Sequence, residues 1–306
     1  MAKKKTSKKK VAKKKARSKK SSSRRLWRTK ERWPNIYVEE LNSWDSFKNI
    51  TSGFLGADRR SSFLFRGQRE VNWPLAPTFD RWLPNVQRSA RDELEDSLLE
   101  NFRIECRADV TLKELLDDEI ATLALAQHFG LPTRLLDWSA SPYVAAFFAF
   151  EKLVDNARNL MNDRDDNQGP VIIWALDKES YIWKKNRGVE IVDPPSWHNE
   201  RLRNQDGKFT LSRTPFQSLQ EYVAQYPDEK NALTAFAIPS REARDAMADL
   251  ELMGINHSSL FPGRDGWSQA AKMKTILGIP ADERIQRWGK RSRKYPPYRS
   301  IRDITM

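Results

Sequence analysis

The chain has 306 residues, 39% of them hydrophobic and 10% aromatic, enough for one large domain or two small ones. It has no apolar run of roughly 18 residues and no apolar stretch behind the charges at its N-terminus, so neither a transmembrane helix nor a secretory signal is expected. The single cysteine, Cys106, excludes an internal disulfide and fits an intracellular setting, cytoplasmic or nucleoid-associated, while three scattered histidines give no metal-ligand spacing and no metal is expected.

The formal charge of +13 is unevenly divided. Residues 1–25 hold eleven lysines and three arginines without an acid, and residues 284–302 hold eight further cations without an acid. These two segments carry +14 and +8, which leaves −9 for the rest of the chain. Residues 1–30 are therefore expected to be a disordered Lys-rich arm, because like charges repel and there is little apolar surface to bury. Lys3, Lys4, Lys5, Lys8, Lys9, Lys10, Lys13, Lys14 and Lys15 are the candidate nucleic-acid contacts, non-specific and driven by counterion release. A solubilising tail and an anionic membrane surface are the alternatives, the latter without an amphipathic face to support it.

A globular domain is expected over residues 44–280, followed by a basic tail at 281–306. Ser61 to Phe65 reads as a strand ending at Arg66-Gly67. Residues 88–105 read as a helix with Leu94, Leu98 and Phe102 inward, and residues 118–129 as another, with Ile120, Leu123 and Ala124 inward and Gly130 just past its end. Leu131-Pro132 interrupts, and Thr133 to Trp138 is expected to be extended. Ser141-Pro142 has the pattern of a helix start, with Val144, Ala145 and Phe148 inward. Val171 to Leu176 is continuously apolar, as in a central strand buried on both faces, and Leu233 to Ile238 is a second such run. Residues 214–226 suggest a short helix. Ser240 opens another with Ala243, Met247, Leu250 and Met253 inward, and Phe261 to Gly266 reads as a loop closing the globular region. The fold class is α+β, with mixed small sheets flanked by helices and roughly five or six strands among six or seven helices.

Candidate chemistry gathers at element junctions. Arg66 offers a planar fork for a phosphate or carboxylate, and Gly67 leaves room for a ligand; the other reading is an ion pair locking the sheet edge. Gln68 adds donors. His128, in the last turn of its helix, is either a proton-transfer group or a packed core residue. Along an extended segment Thr133, Leu135 and Asp137 share one face and Arg134 and Leu136 the other. An Asp in an apolar stretch needs a partner, and Arg66 or His128 is expected to supply it, for a ligand site or for an internal salt bridge. Gln205, in a polar turn, is a further hydrogen-bonding candidate.

Phe65-Arg66-Gly67, Gln127-His128-Phe129-Gly130 through Thr133-Arg134-Leu135-Leu136-Asp137-Trp138, Arg201 through Gln205, Gly207 and Phe209, and Phe261-Pro262 resemble, in this order, the landmarks of the FRG domain family. The resemblance runs from about Trp44 to Trp267; Gly263 stands where the family often has Asp, so no acid role is expected there. A more distant similarity is to ADP-ribosyltransferases. It implies an ADP-ribosyltransferase-like fold and NAD as cofactor, with Arg66 on the NAD phosphates, Thr133 in the hydroxyl position, Gln205 in the third motif and His128 on a ribose hydroxyl. Gly67, Gln68, Arg134 and Asp137 are then further ligand contacts. Neither Glu200 nor Glu221 sits in a motif that would make it the catalytic carboxylate of such an enzyme. The implied function is a nucleotide-using effector, a toxin or defence component held on nucleic acid by its arm. The alternative is a non-catalytic, nucleic-acid-associated module that senses a small anionic ligand.

Overall fold

The apolar run at Val171–Leu176 becomes the middle of a sheet, because a strand with no polar side chain needs cover on both faces. The computed structural model describes residues 33–54, 62–84, 86–155, 169–194, 204–205 and 207–278. The Lys-rich arm, the basic tail, Arg201 and Glu200 lie outside them. Seven strands form one mixed sheet: β1 (Tyr37–Glu40), β2 (Phe63–Gln68), β3 (Leu135–Ser139), β4 (Val171–Asp177), β5 (Val189–Val192), β6 (Gly207–Ser212) and β7 (Leu233–Ile238), in the order β1-β7-β4-β2-β3-β6-β5. The β1/β7 pair is parallel and the others antiparallel. The α+β class holds, and the small sheets read from the sequence are joined into this single one. The sheet also begins before Trp44, at β1.

Around the sheet stand α1 (Trp44–Phe54), α2 (Thr78–Trp82), α3 (Arg88–Cys106), α4 (Lys113–Asp117), α5 (Glu119–His128), α6 (Pro142–Asp155), α7 (Leu219–Val223), α8 (Ala243–Leu252), α9 (His257–Leu260) and α10 (Arg264–Gly278). Local chemistry sets their ends. The Asp118 carboxylate accepts the Ala121 N–H at 2.7 Å to cap α5, Ser141 Oγ accepts the Val144 N–H at 3.3 Å to cap α6, and Gly130, with φ of 87°, turns the chain out of α5. Three expectations change. The inward stripe of α3 is Arg91, Glu95 and Leu99, whereas Leu94 is exposed, because this helix faces charged neighbours. In α8, Ala246 is buried and Met253 is exposed beyond the helix end. Phe261 to Gly266 is not a closing loop: α10 begins within it at Arg264 and buries Gly266, Ala270, Met273 and Ile276.

One face of the sheet carries Leu64, Trp138, Ile172 and Trp174 under α7. On the opposite face two separate helix groups cover the two halves. α1, α6, α8 and α10 pack on β2, β4 and β7 through Phe65, Ile173 and Phe236, while α3 and α5 pack on β3 and β6 through Leu135, Phe209 and Leu211. The halves meet between β2 and β3, where Phe65 opposite Ser139 is the one register pair.

Candidate functional site

A sheet joined by one residue pair opens beside it. Continuing the register past Phe65 and Ser139 would set Gly67 opposite Asp137, but the strands have diverged there. In place of ladder bonds, the Arg66 guanidinium spans the gap: its Nη1 donates to the Asp137 main-chain carbonyl at 2.6 Å and stands 3.5 Å from Asp137 Oδ2. Arg66 alternates with Leu64 and Gln68 on the α7 face of β2, so this fork passes between the strands toward the other face. Its Nε is buried with no hydrogen-bond partner among the described residues. Burial lowers the Arg66 pKa, and the Asp137 carboxylate works against that shift.

Above the opening, between the two helix groups, lies a cleft of about 430 Å³. Phe65, Arg66 and Gly67 of β2 line it with Asp137, Trp138 and Ser139 of β3. Ala124, Gln127 and His128 of α5 form one wall, and Ala145 and Phe148 of α6 the other. Gln205, Phe209 and Phe261 close it from further along the chain, so all four sequence landmarks converge on one space. The mixture of aromatic faces, two carboxamides, a guanidinium, an imidazole and a carboxylate suits a small polar ligand with flat parts.

The polar groups are tied in series. Thr133 Oγ1, buried, donates to Gln127 Oε1 at 2.5 Å, and Gln127 Nε2 donates to Asp137 Oδ1 at 2.7 Å. Asp137 thus has one oxygen on Gln127 and the other toward Arg66, which supplies the partner expected for it. Ser139 Oγ donates to the Gln205 carbonyl at 2.7 Å, and the Gln205 amide reaches the Leu260 carbonyl at 3.4 Å, fixing the far wall. His128 lies exposed on the rim, its ring edge-on to Phe129 at 5.2 Å.

Three candidates have other occupations. Gln68 accepts from the Trp174 indole at 2.7 Å and donates to the Pro74 carbonyl at 3.2 Å, so both ends of its amide are used inside the fold. Arg134 is buried away from the cleft, 2.8 Å from Asp92, 3.6 Å from Glu95 and with its guanidinium 5.1 Å from the Phe79 ring. Arg213 joins Glu95 at 3.4 Å and also pairs with Glu119, while Arg91 meets Asp80 at 3.3 Å. This network clamps α3 to the ends of β3 and β6. The space beside Gly67 is taken by α6 rather than left for a ligand: a Cβ there would lie 1.9 Å from the Ala145 carbonyl oxygen. Sequence reasoning quoted Gln127 only as part of the second landmark, without a role, and did not single out Ser139. Gln127 was findable as the residue beside His128 in the last turn of α5; Ser139 carries no signal until its register with Phe65 is known.

Among the described residues, no helix is long and apolar enough to cross a membrane. No curated protein and no solved structure gives a match to the chain. The FRG domain family model matches residues 61–158, a narrower span than the landmarks in the sequence, running through β2, α5, β3 and the whole of α6. Arg66, Gln127, His128, Thr133 and Asp137 fall inside that span, and Gln205, Phe209 and Phe261 complete the cleft from outside it. The chain carries an FRG domain, and the cleft is built on it.

Proposed function

We propose that the cleft binds a nucleotide, with NAD as the first ligand to test, and that the domain is an ADP-ribosyltransferase-like effector held near nucleic acid by residues 1–25. The observation that carries this reading is Arg66. It is a largely buried guanidinium with an unpartnered Nε, set in an opening of the sheet and lining a ligand-sized cleft. A planar fork in such a place grips a phosphate through paired donors and more strongly than it would in water. Phe148, Phe209 and Phe261 offer apolar rings for a base or nicotinamide ring, and Gln127 and Gln205 offer amide edges. Cleavage of the bond from nicotinamide to ribose builds positive charge on the sugar, and a nearby carboxylate lowers its energy. Asp137 is the carboxylate that lines the cleft among the described residues.

The test is calorimetric titration of the full chain and of Arg66→Ala with NAD. Saturable binding that the substitution removes supports the reading, and the difference between the two cancels any weak attraction of the Lys-rich arm. Identical isotherms, or no heat at millimolar NAD, reject it. A second reading, ligand sensing without turnover, is favoured by one feature: both Asp137 oxygens already face partners, Gln127 and Arg66. Binding of NAD without release of nicotinamide selects this second reading.

A further inference from the structure

At the other end of β6 from the cleft, a second cavity of about 400 Å³ opens between the start of β5 and α7, lined by Lys185, Arg187, Glu190, Arg213, Tyr222 and Tyr226 among others. Its charges are unequal. Arg213 is neutralised by Glu95 and Glu119, but Lys185 and Arg187 make no ion pair among the described residues. The Arg187 guanidinium stands 4.7 Å from the Tyr181 ring centre and 5.7 Å from that of Tyr226. The two rings stand at 88° to each other, so these contacts confine the exposed guanidinium from two sides, and its planar fork suits two oxygens of one anion.

The support under these cations is rigid. Lys185–Arg187 is a single 3-10 turn that ends at Gly188, whose φ of 91° closes it and whose carbonyl accepts the Arg213 N–H at 2.7 Å. A Cβ on Gly188 would come within 2.9 Å of the Thr214 side chain, so the turn sits flush against the strand end. The tyrosine wall is fixed in turn: Tyr222 donates its hydroxyl to the Ile182 carbonyl at 2.5 Å and packs against Tyr226 at 5.1 Å.

We propose that this cavity is a second ligand site, which takes the phosphate end of a small phosphorylated molecule on Arg187 and Lys185. It stands apart from the nucleotide cleft and does not depend on that reading. The probe is inorganic pyrophosphate, titrated calorimetrically into the full chain carrying Arg66→Ala, which removes the clamp of the cleft. A saturable component is expected, weakened more than about tenfold by adding Arg187→Ala, as for the loss of charge-assisted hydrogen bonds. Arg187→Lys should recover only part of it, since lysine keeps the charge without the planar fork. Arg187 is exposed, so these variants should melt with the parent. An isotherm unchanged by Arg187→Ala, or one without a saturable component beyond the arm, overturns the proposal. So does a component present in the wild type and abolished by Arg66→Ala alone, which would assign the anion to the cleft.

Discussion

A Cβ on Gly67 would lie 1.9 Å from the carbonyl oxygen of Ala145 and 2.8 Å from the Ala149 nitrogen. The obstacle is the backbone of α6, which has no side-chain torsion with which to move aside. Gly67 is therefore what lets α6 lie directly on β2 and form one wall of the cleft. Gly67→Ala should cost about 2–3 kcal/mol or more, as overpacking against fixed backbone does. Urea denaturation reads this directly; a midpoint equal to that of the wild type would mean that α6 does not sit so close in solution.

Thr133 acts on the cleft through Gln127. Its hydroxyl is buried and holds the carboxamide whose other end is on Asp137. Thr133→Val keeps the shape and removes the donor, and should cost about 1–2 kcal/mol through the unsatisfied Gln127 oxygen. Ligand affinity should fall in parallel if Gln127 positions Asp137. A double-mutant cycle with Gln127→Ala checks the link: strictly additive effects on stability would show that the two side chains do not communicate.

The sequence conveys more of the central sheet than of its margins. β4 and β7 were legible because each is an unbroken apolar run, and α5 and α6 because a cap and a following Gly or Pro marked their ends. β5 and β6 were not, since Val189–Val192 is short and Gly207–Ser212 mixes glycine, lysine and hydroxyl groups, and their burial comes from neighbours rather than from their own pattern. The α3 stripe was misread for a related reason: Arg91 and Glu95 are buried only because Arg134, Asp80 and Arg213 meet them. In the site, Arg66 and Asp137 carry a motif and a charge that announce themselves. Their connection across a sheet that has opened beyond Phe65 and Ser139 is a matter of register, which no local segment encodes.

Asp137 combines exposure with two strong neighbours, and this separates its roles. Its side chain is 61% exposed, so Asp137→Asn should shift stability by less than about 1 kcal/mol. Removing its charge leaves Arg66 bonded to the main-chain carbonyl and without a competing anion, so a phosphate ligand should bind more tightly than to the wild type. If the cleft turns NAD over, the same variant should lose that activity despite the tighter binding. Titration of NAD into both proteins decides it. Weaker binding by Asp137→Asn would mean that the carboxylate contacts the ligand or that Arg66 needs it for orientation.

Asp80 gives the fold a pH dependence with a definite sign. It is buried beside Arg91, and burial raises its pKa from 3.8 to about 6 against the opposing pull of Arg134 and Arg91. An acid whose pKa is higher folded than unfolded keeps a proton that unfolding would release. Its stabilising contribution is therefore complete below the unfolded value and is lost as pH rises through the folded one. Asp80→Asn mimics the protonated side chain at every pH. The two proteins should have similar stability near pH 4, and the variant should gain on the wild type as pH rises from about 4 to about 6 and keep that gain above it, by an amount on the order of 1–3 kcal/mol. Urea midpoints across that window test this, and subtracting the two profiles cancels the other titrating groups, Glu95 with its raised pKa included. Parallel profiles would show that Arg91 and Arg134 offset the burial of the carboxylate. A wild type that gains on the variant with rising pH would show that the ion pair outweighs desolvation.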